Sequence, residues 1–506
     1  MTTPAGSPPM STARRWAALA VLVLPVLLIS IDMSVLSIAV PALAADLDPT
    51  ANELLWIIDL YSFLLAGLLI AMGSLGDRIG RRRILLIGAP VFGVASLVCA
   101  FATTPTMLLA GRALLGIGGA TLMPSTLGLI RTIFPDRDER RTAIAVWAMA
   151  FAGGAALGPL VGGLLLEHYW WGSVFLLNVP VILLFLVTAP LLLPEARDPH
   201  PGPLDLPSVA LSILGMIGVV YALKVGVKGV DATVLLSCAL GAAALAWFVV
   251  RQRRSADPML DLSLFGNPAF STALLVNVTA IFAFMGLMFF LPQYLMLVRG
   301  MGAAQAGLWM LPLAAASTLG TVLAPVVARW LSVRTVVLVG LALMSLGLAT
   351  GTQLGDGLLV FVLLSACFGI GSGLAETLTN DVILAAAPSD RAGAAAAISE
   401  TAYEVGGAMG TAVLGTVGLA LYSTRVQQGA PAGLGEGATE TAAQTLAAAH
   451  EVAAETPGAG PELVALADAA FLAGVHLVVL VGMTVGLGTL VLAWRGLRSE
   501  AGRASV

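Results

Sequence analysis

Residues 73–85 read Gly-Ser-Leu-Gly-Asp-Arg-Ile-Gly-Arg-Arg-Arg-Ile-Leu, a glycine-rich basic turn between two long apolar runs. Its glycines permit a tight turn with close backbone approach. Arg78, Arg81, Arg82 and Arg83 crowd into this turn, and Asp77 is the only acid among them. Such a cluster holds a turn on the cytoplasmic side of a membrane.

The rest of the chain agrees. Of 506 residues, 58% are hydrophobic and 11% are charged, with mean hydropathy +0.96. A soluble domain carries about 25% charged residues. Fourteen apolar runs are visible, at 16–40, 53–75, 83–102, 106–130, 142–166, 172–193, 207–227, 232–250, 269–297, 303–328, 333–352, 357–386, 392–422 and 467–494. Each is long enough to cross a hydrocarbon core of about 30 Å, and lipid requires such spans to be helices. The first run follows Arg14 and Arg15 and precedes Ala42-Leu43-Ala44, like a signal peptide, but it is too long for one and many spans follow.

Charge placement sets the orientation. With the N-terminus inside, 20 of the 25 Lys+Arg fall in cytoplasmic segments, including Arg391, Arg498 and Arg503. Lys224, Lys228, Arg299 and Arg425 fall outside or at the outer edge, and Arg112 alone sits well within a span. This bias puts both termini in the cytoplasm. The expected class is an all-α polytopic membrane protein in a bacterial cytoplasmic (inner) membrane. Cys99, Cys238 and Cys367 lie in apolar runs without metal or disulfide spacing. No nucleotide-binding Gly-x-x-x-x-Gly-Lys-[Ser/Thr] loop is present, and no nucleic-acid signal, catalytic constellation, cofactor or metal site is indicated.

Four stretches carry a resemblance. The 73–85 turn, with Gly73, Gly76, Asp77, Arg78, Gly80 and Arg81, resembles the loop between helices 2 and 3 of the major facilitator superfamily of transporters. Gly111 to Ala120, around Arg112, is similar to the helix-4 arginine motif of that superfamily. Gly153 to Gly163, with Gly154, Gly158, Pro159, Gly162 and Gly163, resembles the motif typical of its proton-coupled antiporters. Ile31 to Pro41, around Asp32, resembles the helix-1 motif of the fourteen-span drug:proton antiporter branch, with Ser37 where asparagine is usual.

The resemblance implies two six-helix bundles, spans 1–6 (16–193) and 9–14 (269–494), around a cavity. Spans 7–8 (207–250) are an extra central pair, and 1–15 and 495–506 are cytoplasmic ends. The turn 324–334 stands where a second copy of the 73–85 turn would fall, with two arginines kept. The stretch 423–466 is an Ala/Gly-rich loop outside the membrane with five glutamates. It is read as a covering linker, with attraction of cations as the alternative.

Six acids sit inside the spans: Asp32, Asp59, Glu376, Asp381, Glu400 and Glu404. No lysine or arginine is near any of them in sequence, so they are expected to be unpaired. A carboxylate in a medium of low dielectric needs a proton or a cation. One acid can therefore hold either a proton or a cationic substrate, which is an exchange mechanism. Glu400 and Glu404 share a helix face. Asp381 is near a span end, where capping or solvent contact is the competing reading.

Arg112 must meet acids, carbonyls or water, or else snorkel to the outer interface. Asp77 is implied by the resemblance to act in gating. Phe282, Phe284, Phe289, Phe290, Trp309 and Met310 either pack the core or include aromatics lining a pocket for flat cations. Trp56, Trp170 and Trp171 are read as an interface belt.

The expected activity is exchange of protons for lipophilic, often cationic, drugs or dyes by alternating access across the lipid bilayer. The alternatives are a dedicated exporter of one natural product or antibiotic and, more distantly, a channel or a membrane protein that does not transport.

Overall fold

A computed structural model describes residues 10–497, apart from 198–204, 227, 228, 230, 256, 257, 259, 261, 356, 387–391 and 457. Lys228, Arg391, Arg498 and Arg503 lie outside the described residues. The chain forms α1 (Thr12–Leu47), α2 (Ala51–Ile79), α3 (Arg81–Ala100), α4 (Pro105–Ile133) and α5 (Arg137–His168). A short α6 (Ser173–Leu176) and α7 (Asn178–Leu192) make one span. The extra pair is α8 (Leu206–Gly226) and α9 (Ala232–Arg254). Then come α10 (Pro268–Gln293), α11 (Ala303–Val327), α12 (Val333–Gly351), α13 (Leu358–Ala386) and α14 (Ala392–Gly429). Two short helices, α15 (Glu436–Ala442) and α16 (Leu446–Glu455), precede α17 (Gly460–Gly496).

Among the described residues, 13 helices are long and apolar enough to span a membrane, and α5 makes up to 14 if its two bent parts count as one. The parts meet at an angle of 41° beside residue 156. Pro159 gives the reason: its ring displaces the carbonyl of Ala155 and removes an N–H.

Helix starts follow local chemistry. Thr50 and Glu53 form a reciprocal capping box on α2. The side chains of Ser11, Thr104, Asp231, Asn267 and Ser332 accept first-turn backbone N–H groups of α1, α4, α9, α10 and α12. Between α2 and α3 only Gly80 turns the chain, at φ 113°, which a side chain rarely adopts.

One packing scheme occurs twice. α1 packs on α5, α2 and α3 each pack on α4, and α3 and α1 touch α7. In the second half α10 packs on α14, α11 and α12 each pack on α13, and α12 and α10 touch α17. The turn after α11 thus takes the place of the 73–85 turn, as the sequence suggests. The halves meet through α5 on α11 and α2 on α14, which exchange under the same correspondence. α8 packs against α2 and α14, and α9 mainly against α8.

The end carrying residues 73–85 is here the hairpin end, and the other is the cap end. At the cap end α14 runs on to Gly429, beyond the expected break at Ser423. The Tyr422 hydroxyl donates to the carbonyls of Ala442 (2.8 Å) and Thr445 (3.0 Å), which anchors the linker. His450 of α16 sits 2.9 Å from Asp468 of α17, and Gln444 accepts the Ala51 N–H at 3.4 Å. The linker therefore touches both halves at this end.

Candidate functional site

The hairpin is fixed by charge. Arg81, the first residue of α3, pairs with Asp77 at 2.6 Å. The Arg81 guanidinium lies on Gly128 of α4, where a Cβ would collide with it. A Cβ on Gly76 would crowd Ile84 and Ser125 at 3.2 and 3.3 Å, and one on Gly73 would just touch Pro124 at 3.4 Å. Arg78 is exposed. Glu195, just beyond α7, accepts the Arg82 backbone N–H at 3.1 Å and stands 3.9 Å from the Arg82 and Arg83 guanidinium groups.

The α5 glycines form a seam between three helices. Gly154, Gly158 and Gly162 stack at intervals of four on one face and meet Ser30, Ser34 and Val35 of α1. A Cβ on Gly162 would come within 2.6 Å of the Val35 side chain. Pro159 and Gly163 face α11: a Cβ on Gly307 would lie 2.5 Å from the Pro159 carbonyl, and one on Gly163 would strike the Ala303 carbonyl. The motif therefore joins the two halves through backbone contact.

Arg112 lies deep in the first half. Gly116 brings α4 against the α2 backbone at Tyr61, and Gly118 brings it against Phe92 of α3. This closeness lets the guanidinium donate to the Ile57 carbonyl (2.8 Å) and the Ile58 carbonyl (3.2 Å). It also pairs with Asp32 at 2.8 Å, with side chains 2% and 0% exposed. Its charge sits 4.5 Å from the centre of the Tyr61 ring. Asn178 of α7 donates to Asp32 at 3.4 Å and to Ser96 at 3.1 Å.

Beside this pair is a cavity between the halves. It is lined by Asp59, Tyr61 and Arg112 from one half and by Phe289, Tyr403 and Glu404 from the other, with methionines 33, 285 and 288 between. The volume open to water-sized molecules is about 40 Å³, enough for a few waters. A drug-sized ligand requires the halves to part. Glu404 is 1% exposed, and among the described residues neither of its carboxylate oxygens has a hydrogen-bond partner. Asp59 is equally buried. Glu376 and Glu400 are half-buried, within electrostatic reach of the Tyr403 hydroxyl, and Asp381 is exposed near the end of α13. Among the described residues no group of acids, histidines and cysteines could hold a metal ion.

A family model described as Major Facilitator Superfamily matches residues 22–411. The chain belongs to the Major Facilitator Superfamily. It is 46% identical over 466 residues to the multidrug efflux pump LfrA of Mycolicibacterium smegmatis, covering 91% of this chain and 92% of that protein. It is 37% identical over 449 residues to the methyl viologen resistance protein SmvA of Salmonella typhimurium, covering 88% and 90%. The fold matches a bacterial homologue of the human lysosomal transporter Spinster, with TM-score 0.66, 18% identity, and 96% and 99% of the two chains covered. The chain is thus a multi-pass membrane transporter and not an enzyme.

The superfamily fold brings Asp32, Asp59, Arg112 and Glu404 to one place. It corrects the expectation that all six acids are unpaired, because Asp32 holds Arg112. Their helices are far apart in sequence and only packing unites them. Arg112 does not snorkel, since it is 2% exposed. Of the aromatics proposed for a pocket, Phe289 alone reaches the cavity lining. Trp56 is half-buried and packs against Phe63 at 6.3 Å, while Trp171 is buried and bonded to Asp46 at 2.6 Å. Sequence reasoning missed Tyr61, Asn178, Tyr403, Gly128 and Glu195. Only Glu195 left a legible signal, as the first acid after the sixth span and the charge partner of the basic turn.

Proposed function

We propose that this transporter exports lipophilic, often cationic, small molecules in exchange for protons by alternating access. One observation carries the reading: Asp59 and Glu404, from opposite halves, line a single mostly apolar cavity whose arginine is already bonded to Asp32. The two acids hold protons or a cation in turn, while methionines and Phe289 offer adaptable apolar contact. Glu376, Glu400 and, nearer the end of α13, Asp381 extend an acidic route toward the hairpin end. The Asp77–Arg81 turn gates that end, and the α5 seam is where the halves rock. The bundles are residues 16–193 and 269–494, with 207–250 inserted between them. The arginine bias supports placing the hairpin end and both termini in the cytoplasm of a bacterial inner membrane. The energy source is the proton gradient.

The test uses inside-out vesicles with an acidic interior and an internal pH dye. Addition of a lipophilic dication should collapse the pH gradient, and a neutral antibiotic added next reports breadth. A panel in which no compound does so removes the proton-for-drug reading, and a response to one compound class alone moves a dedicated exporter ahead.

A further inference from the structure

Two buried polar groups from opposite halves remain without hydrogen-bond partners among the described residues: the Tyr61 hydroxyl on α2 and the Glu404 carboxylate on α14. Both line the central cavity. Tyr61 is fully buried, its ring lies under the Arg112 guanidinium, and its hydroxyl is within electrostatic reach of Asp32, Glu404 and Arg112. A buried hydroxyl and a buried carboxylate left unmade are costly, so each is built for a partner. The cavity they line, with about 40 Å³ open to water-sized molecules, has room for a few waters between the halves.

We propose that Tyr61, with its ring under Arg112 and its hydroxyl reaching Glu404 through one water, links Glu404 on one half to the Arg112–Asp32 pair on the other. Tyr61 is a positioning residue in this scheme. When Glu404 is ionised, the hydroxyl donates to the water, the water donates to Glu404, and α2 is tied to α14 across the cavity. When Glu404 takes a proton or meets a cation, the charge that strengthens this bond is cancelled. The tie loosens and the α2–α14 seam is free to part. The charged groups that face Tyr61 are Asp32 from α1, Asp59 on its own α2, Arg112 from α4, and Glu404 from α14, with Tyr403 beside it. The inference rests on the antiport reading but deepens it by naming what senses the acid.

The experiment uses the full chain in proteoliposomes with tetraphenylphosphonium as the probe, across pH 6 to 9. Tyr61→Phe keeps the ring under Arg112 and removes only the hydroxyl. KM should stay within about twofold, while kcat falls about tenfold or more, the size of one charge-assisted hydrogen bond. Tyr61→Phe added to Glu404→Gln should cost nothing further, because the two act through one bridge. Native KM, kcat and pH profile in Tyr61→Phe overturn the proposal, as do effects that multiply in the double variant. A second measurement places spin labels at positions 87 and 384, both exposed. Glu404→Gln and Tyr61→Phe should shift their distance distribution in the same sense, and a native distribution in Tyr61→Phe alone overturns the bridge. Absence of proton flux in the native protein counts against antiport, while the label distances still report on the bridge.

Discussion

The Arg112–Asp32 pair allows a double-mutant cycle with a worked magnitude. Arg112→Leu strands the Asp32 carboxylate with only the Asn178 amide at 3.4 Å. The Ile57 and Ile58 carbonyls suffer less, because each keeps a helical N–H partner four residues on. Breaking a buried pair in this way costs about 3–5 kcal/mol. The stranded carboxylate can take a proton, so the loss belongs near 3 kcal/mol, the lower end of that range. Asp32→Leu leaves a guanidinium that cannot lose its proton, but two carbonyls and the Tyr61 ring still hold it. Its loss should also be about 3 kcal/mol. Replacing both residues by leucine removes both charges and leaves only a packing mismatch of about 1–3 kcal/mol. The double variant should therefore fall at least about 3 kcal/mol short of the sum of the singles. The assay is reversible unfolding in mixed micelles, followed by tryptophan fluorescence against detergent mole fraction. Additive losses would mean that the two charges are independently satisfied and would refute the pairing.

Three further outcomes are expected. Asp59→Asn and Glu404→Gln should each lower drug-driven proton flux tenfold or more, whereas Asp381→Asn, at the exposed mouth of the acidic route, should lower it by a smaller factor, as dye-loaded vesicles will show. Gly307→Ala puts a methyl against the Pro159 carbonyl and should reduce transport while the protein still folds. Its sign is increased thiol labelling of cysteines placed at the cap end, and unchanged labelling with full transport removes the seam from the mechanism. Gly80→Ala forces a side chain to φ 113° against Glu195 and should cost about 1–3 kcal/mol, read as a lower thermal midpoint; Glu195→Ala should lower the midpoint by a smaller step.

The basic turn, the apolar runs and the α5 glycines were legible because each depends on local physics. A span needs about twenty apolar residues in a row, and a tight turn needs glycine at one position. The span edges read from hydropathy accordingly lie within a few residues of most helix ends. The edges that moved most, at Leu47, Gly429 and Gly460, are where helices continue past the apolar run to meet the cap. There the stabilising contacts come from Tyr422 and His450, which hydropathy does not weigh.

The sequence alone thus determined the membrane class, the helix count to within the one bent span, the superfamily resemblance and the list of acids inside the spans. It did so because lipid imposes length and polarity on every segment separately. Tertiary structure decided which acids lie together. It paired Asp32 with Arg112 across 80 residues and set Tyr61 opposite Glu404. Those distances depend on how α1, α2, α4 and α14 cross, which is fixed by glycine contacts between helices and not by the periodicity of any one of them.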